Sequence, residues 1–174
     1  MAPPGRADEP RIPARLQAEL LAKVAAYDAH FAQRARAKAL ISIVEVAGLA
    51  ESERFAASIR AELGMQARIG GVEHMEDVIV YSTPAELART CRERKPSIVY
   101  LGPGLTLVAP AIAEALAGLD LITVSPLAAD VAGGVVLGFE VVSGKPKLVV
   151  NLQQAHRQNV AFKPELLRLA RVIQ

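Results

Sequence analysis

The sequence predicts an α/β fold: a mostly parallel sheet with helices on both faces, extended by a C-terminal antiparallel hairpin and a terminal helix. Three observations lead there. Short β-rich runs alternate with helical stretches between residues 39 and 124, the pattern of a parallel sheet covered on both sides. The first of these runs, ALISIVEV, is almost continuously apolar, as expected for a strand buried on both faces. After Ser125 the alternation stops, and two strand-like runs are joined by Ser143-Gly144-Lys145-Pro146, the spacing of a hairpin.

The elements follow in order. Residues 1–13 hold four prolines and no periodicity, and read as a flexible tail. Residues 14–174 read as one domain, long enough to bury roughly 70% of its unfolded surface. A first helix is expected over 14–31, where Leu16, Leu20, Val24, Tyr27 and Phe31 form one apolar stripe. A strand over 39–46 ends before Gly48. A helix over 52–63 sets Phe55, Ile59 and Leu63 on one side and stops at Gly64. Residues 65–69 offer a short strand, Gly70-Gly71 a turn, and 77–81 the next strand.

Thr83-Pro84-Ala85-Glu86 is a helix start: Thr83 as N-cap, Pro84 in the first turn, Glu86 completing a capping box. That helix runs to about Arg94, and Pro96 separates it from a strand over 97–101. Gly102-Pro103-Gly104 leads to a helix over 107–117, closed by Gly118, and then to a strand over 119–124. The hairpin strands are expected over 135–142 and 147–152. A short helix over 153–158 precedes the terminal helix, which Pro164 opens and which runs through Ile173.

Composition narrows the function. The formal charge is only +2, and 4% of residues are aromatic, with no Trp. That is a poor base for a surface that stacks nucleobases or sugars. Two basic groups stand out: Arg34, Arg36 and Lys38, and then Arg89, Arg92, Arg94 and Lys95. Both read as solvated helix faces rather than as a nucleic-acid footprint. No apolar run is long enough to span a membrane. The opening stretch has no apolar leader core, which fits either a cytoplasmic start or a chain whose leader has been removed. The lone Cys91 cannot form an intramolecular disulfide. It falls mid-helix and reads as a small core or boundary residue, with an intermolecular disulfide or a reactive thiol as the alternative.

The strong catalytic and cofactor motifs are missing: no GxGxxG, P-loop, HExxH or GxSxG occurs. The histidines His30, His74 and His156 lie in unrelated segments. Glu73-His74 with Glu76 and Asp77 reads as a polar loop before a metal site, and His156 as a surface residue. No catalytic residue, metal or cofactor is assigned, and the expectation is a binding protein rather than an enzyme. The candidate site is geometric. Open parallel sheets bind ligands outside the carboxyl ends of their strands, and those ends carry Gly48, Ser82, Thr83, Gly102, Gly104 and Ser125. A small ligand or anion could be held there by Ser82, Thr83, Gly102, Gly104 and Ser125. Capping and tight turns explain the same residues.

The C-terminal third carries a further signal. Thr123-Val124-Ser125, Gly133-Gly134, Phe139, Val150-Asn151-Leu152, Ala155 and Leu166-Leu167-Arg168-Leu169-Ala170-Arg171-Val172 stand in one order and spacing. This order resembles the C-terminal pattern of the YfiR-like family of bacterial periplasmic regulators. Upstream, the first helix with Lys23 and Tyr27 and the IVYL strand also fit. The resemblance implies an exported, non-enzymatic protein that represses a membrane-bound signalling partner of the diguanylate cyclase type. It also implies self-association, with a homodimer expected, and neither nucleic-acid binding nor insertion into the membrane. Family members like the namesake carry disulfide-forming cysteines, whereas this chain has only Cys91.

Overall fold

In the computed structural model of the protein, residues 11–174 are described, and their strands form one seven-stranded sheet. The chain enters through α1 (Ala14–Val24) and α2 (Phe31–Ala35), which lead to β1 (Ala39–Glu45). Next come α3 (Ala50–Gly64), β2 (His74–Val80), α4 (Pro84–Arg94) and β3 (Ile98–Leu101). They are followed by α5 (Ala109–Leu116), β4 (Ile122–Ser125), α6 (Ala128–Ala132) and β5 (Leu137–Val142). The chain closes with β6 (Lys145–Asn151), α7 (Leu152–Arg157), α8 (Pro164–Leu167) and β7 (Arg171–Ile173). The strand order is β2-β1-β3-β4-β5-β6-β7. The first five strands are parallel, β6 returns antiparallel to β5, and β7 runs parallel to β6.

The alternation of side chains along each strand builds two cores. Ile41 and Ile43, Ile98 and Tyr100, and Ile122 and Val124 belong to one cluster, packed by Leu21 of α1, Phe31 of α2 and Ile59 and Leu63 of α3. The intervening Val44, Val99 and Leu101 belong to the other, with Leu87 and Cys91 of α4 and Ile112 and Leu116 of α5. Each fully buried Ile or Leu contributes roughly 1.5–3 kcal/mol. Removing either helical layer would therefore strip the central strands of their main stabilisation.

The structure departs from the sequence reading at both ends. The first helix does not continue to Phe31: α1 gives way to a 3-10 turn at Ala25–Tyr27, and Asp28 is extended (φ −81°, ψ 118°). The Asp28 carboxylate explains the break, because short acidic side chains that bond nearby backbone compete with the helix. Its Oδ1 accepts from the His30 and Ala161 amides, and its Oδ2 pairs with the Arg34 guanidinium. The terminal helix is also shorter than expected. It stops at Leu167, and Arg171–Ile173 pairs with Val149–Asn151 as β7. The β-branched Val172-Ile173 pair suits a strand, and pairing satisfies the outer edge of β6. Leu169, which a helical stripe would bury, is exposed.

Smaller differences follow the same logic. Residues 65–69 form no strand, only an isolated bridge between Ile69 and Val72. The short α6, absent from the sequence reading, fills the β4–β5 connection. The packed unit reaches back to the buried Ile12, whose carbonyl accepts from the Gln17 side-chain Nε2, while residues 1–10 of the expected tail lie outside the described residues. No described helix is long and apolar enough to cross a membrane.

Asp28 and Arg34 are both almost wholly out of water, and removing Asp28 leaves the buried guanidinium only the half-exposed Asp120 and strands the His30 and Ala161 amides. Asp28→Ala should therefore lower unfolding free energy by about 3–5 kcal/mol in urea titration. A loss no larger than that of an exposed Asp→Ala change would show that the pair does not hold the N-terminal helices.

Candidate binding site

The carboxyl edge of the parallel strands holds the residues marked by the sequence, and most of them are committed to internal contacts. Thr83 is the N-cap of α4 and its Oγ1 accepts from the Glu86 amide at 3.1 Å. The Glu86 carboxylate accepts from Arg89 instead of closing the capping box, and that hydrogen bond, with the guanidinium charge, lowers its pKa. Ser125 is fully buried: its hydroxyl donates to Asp130 at 2.6 Å and accepts from the Leu127 amide. Gly102 lies under the β1 backbone, where an added Cβ would stand 2.9 Å from the Val44 carbonyl oxygen. Gly104 has φ +95°, and its added Cβ would stand 2.5 Å from Leu49 Cδ2. Ser82 is exposed and lines a cavity of about 360 Å³ between the β2 edge and α4.

In this strand order the crevice is expected where β1 and β3 lie side by side. Here the loop after β1 folds over the end of β3 and sets Leu49 against Gly104. The Ser52 hydroxyl holds that loop by accepting from the Val46 amide, and the Glu53 carboxylate by accepting from the Gly48 amide. Glu51 and Glu53 occupy the first turn of α3, and Glu86 that of α4. Carboxylates there already satisfy the positive ends of the helix dipoles. The residues are brought together as the strand order requires, but around the protein's own side chains. Leu49 and Asp130 were invisible as parts of this edge, because neither belongs to a motif.

A larger cavity, about 1000 Å³ and open to solvent, lies at the opposite edge, where the parallel strands begin. Its walls are the end of α2, the end of α4 and the turn from α5 into β4. Arg34, Arg36 and Lys38 from one basic group meet Arg92, Arg94 and Lys95 from the other across this opening. The sequence reading placed both groups on solvated helix faces. Arg89 fits that description, paired on the helix surface with Glu86 and Glu93. Arg34 does not, since its side chain is almost fully buried and reaches Asp28, Asp120 and the Asn159 carbonyl. A usable signal was present: the groups end one and three residues before a strand, at Lys38 and Lys95, and the starts of parallel strands converge on one edge.

The remaining candidates have structural roles. His74 opens β2 rather than lying in a polar loop. Its Nδ1 faces Glu76 and its Nε2 lies 2.7 Å from the Gln66 carbonyl oxygen. Among the described residues no cluster of three or more His, Cys, Asp or Glu could hold a metal. His156 is exposed on α7. Asn151 caps α7, accepting from the Gln154 amide, and donates to the Val131 carbonyl. Gln154 and Gln158 extend this buried amide chain to the Ala113 and Leu121 carbonyls. Cys91 is buried against the second core, and desolvation, with the nearby Asp77 charge, raises its thiol pKa to about 12.

A protonated, buried thiol is a slow nucleophile. At pH 8 the native protein should react with dithionitrobenzoate about a hundredfold more slowly than the chain in guanidinium, since reaction awaits opening of the core. Equal rates would place Cys91 within reach of solvent.

Comparison with known proteins fixes the ancestry. Among curated proteins none matches the chain. Among solved structures, an ABC domain in complex with L-Trp from Streptococcus pneumoniae superposes with a TM-score of 0.65 at 14% identity, covering 92% of this chain and 62% of that one. A conserved domain protein from Vibrio cholerae O1 biovar El Tor gives 0.60 at 14% identity, covering 95% and 61%. A substrate binding protein with adhesive properties from Clostridium difficile, CD0873, gives 0.62 at 9% identity, covering 83% and 57%. The chain thus spans about three fifths of the length of these structures, and at such identities the likeness is one of fold. A profile of the YfiR/HmsC-like family matches residues 14–171, nearly all of the packed unit, and the chain belongs to that family.

Proposed function

We propose that this protein is a non-enzymatic periplasmic regulator that binds and restrains a membrane-bound signalling protein of the diguanylate cyclase type. The observation that carries the reading is the family match over residues 14–171, which takes in every strand but the last two residues of β7 and every helix. Two features of the structure support a binding role. At the β1–β3 switch point Leu49 lies against Gly104, and Thr83 and Ser125 spend their hydroxyls on internal hydrogen bonds. The reading also includes a homodimer.

The first test is capture. The gene product, tagged at its C-terminus, should fractionate with the periplasm and co-purify with an inner-membrane cyclase or sensor protein from detergent-solubilised membranes. Deleting the gene should raise cellular cyclic di-guanylate. A cytoplasmic product, or deletion without effect on the dinucleotide and without a captured membrane protein, would overturn the reading. For the dimer, size exclusion with light scattering should return the mass of two chains at micromolar concentration, and a single-chain mass would refute it.

A further inference from the structure

We infer that the groove at the amino edge of the sheet is a docking site for an acidic, partly apolar segment of a partner protein. Six cations line it, Arg34, Arg36, Lys38, Arg92, Arg94 and Lys95, against one carboxylate, Asp120. The whole chain carries a formal charge of only +2, so the groove concentrates positive charge that the rest of the surface cancels. Arg34 is neutralised by Asp28 and Asp120, and Arg94 by Asp77. Arg36, Lys38, Arg92 and Lys95 are exposed and make no ion pair among the described residues.

The backbone gives independent support. Among the described residues four non-glycine positions have positive φ, and three of them, Arg36 (φ 57°), Lys95 (φ 52°) and Asn159 (φ 56°), line this groove. Arg36 is the most unusual, with ψ −128°, a region that glycine adopts far more easily than arginine. Both Arg36 and Lys95 stand at helix C-caps, where glycine is the ordinary choice. Strained backbone of this kind collects at functional sites. A cation stands at a glycine-favouring position on each side of one groove, and a need for the charge accounts for it.

The chemistry of the occupant follows from the walls. No Phe, Tyr or Trp lines the groove, so a nucleobase lacks the broad stacking platforms that single-strand binders use. The helix ends that face it, those of α2 and α4, are C-termini and offer none of the free amides that cradle a compact phosphate at a helix N-terminus. Long Arg and Lys side chains spread over an open groove suit carboxylates spaced along a chain. Leu40, Leu119 and the half-exposed Met75 add apolar surface between them, and methionine adapts readily to varied partners.

The inference rests on the regulatory reading for the protein that bears the segment, not for the groove itself. The test uses the full chain and a fluorescein-labelled peptide alternating Glu with Leu, read by polarisation. Binding should weaken as sodium chloride rises, because exposed charges are screened. The double variant Arg36→Gly/Lys95→Gly should bind about tenfold more weakly. Its melting temperature should hold or rise, because glycine relieves both positive-φ positions. Should that pair fail to fold, Lys38→Glu/Arg92→Glu reverses two exposed charges and should abolish binding, while Lys145→Glu on the distant hairpin should leave it unchanged.

Several outcomes overturn the inference: no binding at low salt, equal binding by the variants, or tighter binding of oligothymidylate or phosphatidylglycerol vesicles than of the peptide. The two readings fail separately. Peptide binding without membrane capture leaves the groove standing and removes the regulator. Membrane capture by the Gly variant as strong as by the parent chain removes the groove and leaves the regulator.

Discussion

A carboxylate and a guanidinium six residues apart, Asp28 and Arg34, leave water together, and the arrangement of the whole first layer follows from that pair. Both Asp28 oxygens are used: one holds the amides of His30 and Ala161, the other the Arg34 side chain. Arg34 in turn reaches Asp120 before β4 and the Asn159 carbonyl after α7. Three distant stretches, the first helices, the α5–β4 turn and the segment before α8, are thereby joined at one point. Desolvating two ions costs several kcal/mol each, and only such complete hydrogen bonding offsets it. What the pair adds is position: the break between α1 and α2 lies where Asp28 can meet residues 159–163.

This node also shows what the sequence could and could not reveal. The order of strands and helices from Ala39 to Ser125 was legible, because continuous apolar runs, the Thr83-Pro84 start and the Gly102–Gly104 turn are local signals. The hairpin was legible for the same reason. The break at Asp28 was not, since the helical stripe through Val24 and Phe31 is intact and the amide that competes for Asp28 lies 133 residues away. The end of the chain failed similarly: Leu166 to Ile173 is apolar enough for either helix or strand, and only the open edge of β6 decides. The rim residues Thr83, Gly102, Gly104 and Ser125 were located correctly in the fold. Their contacts depend on Leu49 and Asp130, which carry no motif.

The solved structures that share this architecture at 14% identity or less include one in complex with L-Trp and one called a substrate binding protein. A parallel sheet in this order is a scaffold, and sites are grafted on its loops. In this chain the loop after β1 is tied to itself. Ser52 and Glu53 accept from its Val46 and Gly48 amides, and Leu49 lies against Gly104.

The two edges of such a sheet cannot be electrostatically alike. Every parallel crossover places a helix N-terminus at the carboxyl edge and a C-terminus at the amino edge, so acids at helix starts and bases at helix ends each contribute about 0.3–1 kcal/mol. Glu51, Glu53 and Glu86 on one side, and Lys23, Arg34, Arg92 and Arg94 on the other, follow that rule. Dipole matching alone would thus make the amino edge basic. It would not choose arginine and lysine over glycine at the left-handed caps Arg36 and Lys95, nor leave four exposed cations facing one another across an opening. The fold accounts for the sign of the charge at this edge, and the residues beyond what the fold requires are the ones that point to a partner.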